Sequence, residues 1–207
     1  EPTMHTKNKL NRSFKAVFEV IRFAMHDNRK IKWLIIYSSS MGVATLSMAW
    51  FAQPFFISIN IPLAYYGIIW AIFNFSAGIT SFNSHHLVNK YDYNKILLSM
   101  SLAMTISFIL LGSIFSFYGL IFILFIYLFR GVITPILRNE INKNTTSNKR
   151  ATVLSIRSLI IRISFALTAP LLGFIADNYS LSISFYCLAI LVGFFSILSS
   201  IKLYKIR

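Results

Sequence analysis

Three arginines lie inside apolar stretches of this 207-residue chain, where an ionisable side chain is costly and needs a partner. Arg162 lies twelve residues past Arg150, ~18 Å along a helix and close to the middle of a membrane. Arg130 lies eight residues before Arg138, ~12 Å deep. Arg157 lies only ~10 Å past Arg150, so its long side chain can reach back to the surface. We therefore expect Arg130 and Arg162 to line a polar pathway, and Arg157 to be an interfacial anchor or gate residue.

The chemistry open to these arginines is the recognition of negative charge. None of the six acidic residues lies well inside an apolar stretch, so the spans supply no carboxylate partner. Three partners remain: backbone carbonyls, an anionic substrate, or an acid on a part of the protein outside this chain. Arg157 and Arg162 are five residues apart and point ~140° away from each other on a helix, which predicts that they do not form one site.

Six apolar stretches carry or flank these arginines, and each has about the 20 residues that a helix needs to cross the hydrocarbon core. They cover residues 33–52, 64–82, 96–115, 118–137, 151–176 and 181–201. Seventeen of the twenty Lys and Arg residues lie in alternate gaps and at the two ends, while the other three gaps carry none. This positive-inside pattern predicts that both ends of the chain are cytoplasmic. The expected fold is all-α, a polytopic membrane protein with a six-transmembrane-helix bundle.

The basic composition follows from this topology. A net charge of +14 would suggest a nucleic-acid partner in a soluble chain, but 56% of the residues are hydrophobic. We therefore expect the lipid bilayer as the partner, and no nucleic acid. The spans hold no paired carboxylates and no Ser/His arrangement, and His85 and His86 lack acidic or thiol neighbours at metal-ligand spacing. Cys187 is the single cysteine. We expect no enzyme, no metal and no cofactor.

Residues 1–32 precede the bundle and differ from it in composition. Their apolar side chains recur on one helix face: Phe14, Val17, Phe18, Ile21 and Met25. This pattern, with basic residues on the other side, predicts a cytoplasmic amphipathic linker helix over 1–32, followed by the six-helix bundle over 33–207. Since the chain begins with Glu1 and shows no signal peptide, we expect the interior of a longer protein, or a half-sized unit.

Polar residues in the first two stretches give further pathway candidates: Trp50, Gln53 and Asn74. The hydroxyl clusters around them allow two interpretations, close helix packing or a wetted pathway. The third and sixth stretches carry no charge, so we expect them to face lipid on most sides. In the fifth stretch, Pro170 frees a backbone carbonyl and Gly173 would allow close contact, which together predict a helix kink.

The order of these features resembles the C-terminal six-helix half of a major facilitator superfamily transporter. The resemblance rests on the basic amphipathic segment before the first span and on three stretches further along: FRGVITP at 129–135, RATVLS at 150–155 followed by Arg162, and PLLG at 170–173 followed by Asp177. It implies that the first, second, fourth and fifth helices line a central cavity, with the third and sixth outside. It also implies alternating access between two halves, so that a missing N-terminal half, or a second copy, would complete the protein.

One stretch departs from the pattern of that family. Residues 86–95, between the second and third spans, lack the Gly and the Asp-Arg pair of its clamp motif, and leave Asp92 and Lys95 as candidates for a cytoplasmic gate with Arg157. The function that the resemblance implies is secondary transport of a small solute across a bacterial inner membrane, with efflux by proton antiport as one form. The alternative is a non-transporting membrane scaffold or assembly protein that retains the fold.

Overall fold

The computed structural model describes residues 28–206 together with Arg22 and His26, and this part of the chain is all-helical. Its six long helices, α1 to α6, cover Arg29–Ser58, Tyr66–Lys90, Tyr93–Ser113, Gly119–Lys143, Arg150–Asn178 and Leu181–Lys205. All six are long and apolar enough to cross a membrane. The six-helix bundle predicted from the sequence is therefore confirmed for the described residues.

Helix α1 begins four residues before the apolar stretch that predicted it. Asn28 caps the helix, because its side-chain oxygen accepts a hydrogen bond from the Ile31 N–H at 3.0 Å. Arg29 and Lys30, which the predicted boundary assigned to the linker, form the first turn of this helix. The linker helix predicted for residues 1–32 lies outside the described residues, apart from this start of α1 and two isolated positions.

Helices α1 and α4 form the centre of the bundle. Helix α1 packs against α4, α5 and α6, while α4 also packs against α2 and α3. Helices α3 and α6 lie along each other on one side. The core between these helices consists of large buried side chains: Tyr37, Phe55, Phe108, Tyr127 and Phe185. Burying such rings against one another excludes lipid from the centre and fixes the positions of α1 and α4.

Burial is distributed unequally among the helices. The most apolar part of α1 is 61% buried, whereas the corresponding parts of α2 and α5 are each 6% buried within the described chain. Helices α3 and α6 are 44% and 39% buried, so our expectation that they face lipid on most sides is only partly met. They bury this surface largely against each other, and the widest open surfaces belong to α2 and α5.

Small hydroxyl side chains join the helices through hydrogen bonds. Three bonds connect the pairs α1–α5, α1–α6 and α2–α4: Ser39 to the Ser164 hydroxyl (2.7 Å), Ser40 to the Val192 carbonyl (3.0 Å) and Thr80 to the Leu128 carbonyl (3.0 Å). Bonds of this kind contribute about 0.6 kcal/mol each in membrane proteins. For these three residues the packing interpretation of the hydroxyl clusters is confirmed.

Two glycines allow neighbouring helices to approach closely. Gly42 of α1 lies against Ile161 of α5, and Gly131 of α4 lies against Ala77 and Thr80 of α2. A Cβ at position 131 would overlap the Ala77 carbonyl oxygen and the Thr80 hydroxyl. A larger residue there would push α2 away from α4, so Gly131 sets the spacing of this helix pair.

Candidate functional site: an arginine-lined cavity

A cavity of about 280 Å³ opens between α1, α4 and α5, and we call it the arginine cavity. Three arginines line it, Arg130 from α4 and Arg157 and Arg162 from α5. Hydroxyl groups from the three helices add to its polar lining: Ser38, Thr45, Thr134 and Ser158. The cavity therefore brings together the three basic residues that lie within the predicted spans.

The prediction that Arg157 and Arg162 do not share a site is wrong. Both line the arginine cavity, together with Ser158 and Ile161, which lie between them on the helix surface. The cavity extends across the whole arc of α5 between the two arginines, and long side chains can enter it from both edges. Two residues that point in widely different directions from one helix can therefore still line the same cavity.

A second cavity of about 550 Å³ adjoins the first, and we call it the outer cavity. The two share Thr134, Arg157, Ser158 and Arg162, so these residues form a common wall. The outer cavity adds Arg138 of α4. Four guanidinium groups thus line two adjoining spaces between the same helices.

Arg138 was not predicted as a site residue, because its position beside a connection is explained by the positive-inside pattern alone. The spacing of polar residues along α4 could have indicated this role. Arg130, Thr134 and Arg138 are spaced by four residues, which puts them on one helix face. Such a stripe beside a midspan arginine predicts a polar face, and the structure shows that both cavities use it.

The arginines have no acidic partner among the residues that the structure describes. Glu140, the acid closest to Arg138 along the chain, is paired with Lys30 of α1 at 2.7 Å. Arg130 lies over the Tyr127 ring, 5.5 Å from the ring centroid, which is a cation–π contact. This contact orients the guanidinium of Arg130 but leaves its charge uncompensated.

Two polar atoms at the arginine cavity lack hydrogen-bond partners within the described part of the chain. The Ser38 side chain is 1% exposed and its hydroxyl is unpaired. The Nε atom of the half-buried Arg157 is unpaired as well. Leaving a buried polar group unpaired costs about 1–3 kcal/mol. Such groups are common at sites where a ligand or water supplies the missing bond.

The other predicted pathway residues lie outside the arginine cavity. Trp50 is 71% exposed, and Asn74 is exposed and donates its side-chain amide to the Trp70 carbonyl at 2.9 Å. Gln53 lines a separate pocket at the α1–α2 connection, with Asn60 and Tyr66. The structure therefore joins Arg130 and Arg162 in one cavity but not the other three candidates.

The three gate candidates are also distributed over different places. The Asp92 carboxylate caps α3 by accepting a hydrogen bond from the Asn94 N–H at 2.9 Å. Lys95 is exposed on the first turn of the same helix, beside a groove shared with Tyr204 of α6. Arg157 lines the arginine cavity and the outer cavity. The described residues therefore do not assemble these three side chains around one pocket.

None of the other described helices approaches α5 closely at Gly173, where the sequence predicted a close contact beside a kink. The helix continues through Pro170 as far as Asn178, and Pro170 is exposed. A Cβ built at Gly173 meets no atom within 4 Å, so the expected close approach at this glycine is wrong within the described chain. The open surface at Gly173 is part of the weakly buried face of α5.

The chemistry that this arrangement supports is binding rather than proton transfer. Arginine stays protonated in proteins and offers five N–H donors in a fixed plane, which suits carboxylate and phosphate groups. In the described ranges no three His, Cys, Asp or Glu side chains lie close enough to hold a metal ion. The residues at hand can therefore hold and orient an anion.

A sequence model of the Major Facilitator Superfamily matches residues 33–205, which covers all but the first few residues of α1 and the whole of α2 to α6. This chain belongs to the Major Facilitator Superfamily. The resemblance to this superfamily that was inferred from the sequence is thus confirmed. The chain is a multi-pass membrane protein, and its family consists of transporters. Neither the curated proteins nor the solved structures include a match to the chain.

Proposed function

We propose that this chain is one six-helix half of a secondary transporter that moves a small solute across the cell membrane by alternating access. The arginine cavity carries the proposal. It puts three cations and several hydroxyl groups between helices of a membrane-spanning bundle. Charged side chains within spans are rare and mostly line substrate or ion pathways. Family membership supports transport as the activity.

The open faces of α2 and α5 support the proposal that a second unit completes the transporter. On α2 the exposed apolar side chains include Ile68, Phe75 and Phe82, and on α5 they include Leu167 and Phe174. Lipid could cover these faces, but it would also reach the exposed Arg162 of α5. A second six-helix half, or a second copy of this chain, would cover the apolar faces and close the cavity.

The distribution of loop charges supports an orientation. Lys90 and Lys95 lie around the α2–α3 connection, and Lys149 lies in the α4–α5 connection, so these two connections are cytoplasmic under the positive-inside rule. The outer cavity then opens toward the cytoplasm, because Arg138 lies near the end of α4 that meets this connection. The pocket around Gln53 lies at the opposite end of α1.

The face of α1 between the two ends supports a continuous route. Ser38, Gly42 and Thr45 line the arginine cavity. Gln53 lies eleven residues past Gly42 on the same side of the helix, whereas Trp50 lies five residues past Thr45 and ~140° away from it. A solute that leaves the arginine cavity toward the far side would therefore reach the Gln53 pocket along the face of Gly42.

Flux measurements on the purified protein in proteoliposomes test this function. The panel contains small anions, small cations and hydrophobic dyes, each with and without a pH gradient. We expect saturable flux of one solute class, lowered at least about tenfold by Arg162→Ala, since a lost charge-assisted bond is worth about 1.5–3 kcal/mol. Lys202→Ala is the matched control, because Lys202 is exposed on α6 and lines neither arginine cavity.

The panel also separates the alternatives. Dye export that depends on an inward proton gradient would identify efflux by antiport. Flux that survives Arg162→Ala at unchanged affinity and rate would remove the arginine cavity from the pathway. Correctly folded protein that is assembled with its completing unit, another half or a second copy, and still moves no member of the panel would favour the non-transporting scaffold.

A further inference from the structure

We infer that the arginine cavity and the outer cavity together form a two-tier site for a small organic dianion. The dianion carries carboxylate or phosphate groups at its ends. The inference deepens the proposed function and rests on it for the direction of passage. It names the class of solute from the number, height and surroundings of the guanidinium groups. It also assigns Arg138, which the loop-charge pattern alone would explain as a topological residue, to solute binding.

The heights of the arginines along their helices define the two tiers. Helices α4 and α5 are antiparallel neighbours joined at one end, between Lys143 and Arg150. From that end, Arg138 lies ~8 Å along α4 and Arg157 lies ~10 Å along α5. These two arginines form the outer tier.

Arg130 and Arg162 form the inner tier at greater depth. Arg130 lies ~20 Å along α4 and Arg162 lies ~18 Å along α5, counted from the same end. Each tier therefore combines one guanidinium from α4 with one from α5. Arg157 and Arg162 line both cavities, so an anionic group can move from one tier to the other without losing contact with a cation.

The charge of the site favours a dianion over a neutral or singly charged solute. Four guanidinium groups line the two spaces, and none of them is in an ion pair with a described residue. Like charges in a low-dielectric environment repel each other strongly. A monoanion would leave one tier without an anionic group, whereas a dianion can place one anionic group in each tier.

The surroundings of the inner tier favour an organic solute over a bare inorganic anion. The arginine cavity is also lined by aliphatic and thioether side chains, including Met41, Leu46, Ile133 and Ile161. These surfaces can contact a short carbon chain. The volume of about 280 Å³ lies near the lower end of the ~300–1,000 Å³ range of small-molecule sites. A short dicarboxylate or a small phosphate monoester fits these limits.

Binding to the purified protein in phosphatidylcholine nanodiscs tests the inference independently of transport. The probes are succinate, glycerol 3-phosphate and inorganic phosphate, with acetate as a monoanion and succinamide as the neutral match of succinate. We expect succinate or glycerol 3-phosphate to bind at least about tenfold more tightly than succinamide and acetate, because each bidentate pair with arginine adds two charge-assisted bonds. If no organic dianion binds more tightly than its neutral match, the inference is wrong.

Substitutions in each tier test the geometry. Arg162→Gln and Arg138→Gln should each weaken dianion binding about tenfold or more, and Arg162→Lys should restore part of the affinity by keeping the charge without the planar fork. Lys202→Gln should leave the affinity unchanged. The thermal unfolding midpoint of the unliganded protein should stay level or rise in the Arg→Gln variants, since each removes one uncompensated cation. Equal loss in the Lys202→Gln control would mean that general surface charge holds the anion, which overturns the site.

Two further arms separate the possible failures. Nanodiscs that contain phosphatidylglycerol test whether a lipid headgroup occupies the site, and arginine-dependent stabilisation by this lipid without dianion binding would overturn a solute site. If dianions bind with the expected arginine dependence but no flux occurs, the site stands and the transport proposal fails. If a neutral solute is transported and the arginine variants leave its flux unchanged, transport stands and the dianion site fails.

Discussion

Ser38 and Ser40 are two residues apart on α1, and the structure gives them opposite roles. The Ser40 hydroxyl donates to the Val192 carbonyl of α6 at 3.0 Å, so it joins two helices. The Ser38 hydroxyl is buried at the arginine cavity and finds no partner within the described residues. The sequence places both in one serine cluster and cannot separate them, because the difference depends on which neighbouring helix each residue faces.

We expect Ser38→Ala and Ser40→Ala to have contrasting effects. Ser38→Ala removes an unpaired buried hydroxyl, so the thermal unfolding midpoint should stay level or rise, with unchanged anion affinity. Ser40→Ala removes an interhelical hydrogen bond, so stability should fall by about 0.6 kcal/mol with unchanged affinity. Thermal unfolding and equilibrium binding on both variants check this. A stability loss in Ser38→Ala equal to that in Ser40→Ala would contradict the assignment.

The deep arginines illustrate what the sequence reveals at the residue scale. Their depth follows from counting residues to the nearest loop cation, and the structure brings Arg130 and Arg162 into one cavity as that depth suggested. Arg138 was not predicted as a site residue, because the positive-inside pattern already explained a basic side chain near a helix end. The predicted role of Gly173 failed for a related reason, since the sequence cannot tell which glycine has a neighbour.

At the scale of the helices, hydropathy predicted all six elements but not their partners. The apolar stretches correspond to α1 to α6, with shifts at their ends that come from caps such as Asn28. The pairing of α3 with α6 was not predicted, because apolar residues that contact lipid and those that contact another helix have the same composition. Glycine alone does not mark the contacts either, as Gly131 is tightly enclosed and Gly78 is not.

The pair Gly131→Ala and Gly78→Ala tests the contact between α2 and α4. A methyl group at position 131 would overlap backbone and side-chain atoms of α2, and we expect a loss of about 1–3 kcal/mol in unfolding free energy. A methyl group at position 78 meets open space, and alanine has a higher helix propensity than glycine by up to about 1 kcal/mol. Gly78→Ala should therefore be neutral or stabilising. Denaturant titration of both variants in detergent gives the comparison, and equal destabilisation would argue against the close approach.

At the scale of the whole molecule, the alternation of basic and uncharged connections predicts which connections share a side of the membrane. The α1–α2 connection carries no Lys or Arg, whereas the α4–α5 connection carries Lys149. Leu63 is 78% exposed in the first connection, and Ser147 is exposed in the second. These two positions are suited to labelling from the two sides.

Single-cysteine labelling tests this topology. In a Cys187→Ser background, a membrane-impermeant maleimide added to intact cells should label Leu63→Cys. Ser147→Cys should react only after the membrane is opened, because its connection is cytoplasmic under the proposed orientation. Unmodified Cys187→Ser protein controls for background reaction. Labelling of both positions from the same side would refute the topology.

The weak burial of α2 and α5 has a consequence for the stability of the chain before assembly. Arg130 and Arg162 are exposed within the described residues, although both lie far from the ends of their helices. In an unassembled copy these side chains would face hydrocarbon, at a cost of about 2.5–3.5 kcal/mol each. Pairing with the second unit that we propose would remove that cost, and membrane insertion and assembly would then be energetically linked. The same arginines that line the proposed solute site would then make an unassembled chain less stable in the membrane than the assembled one.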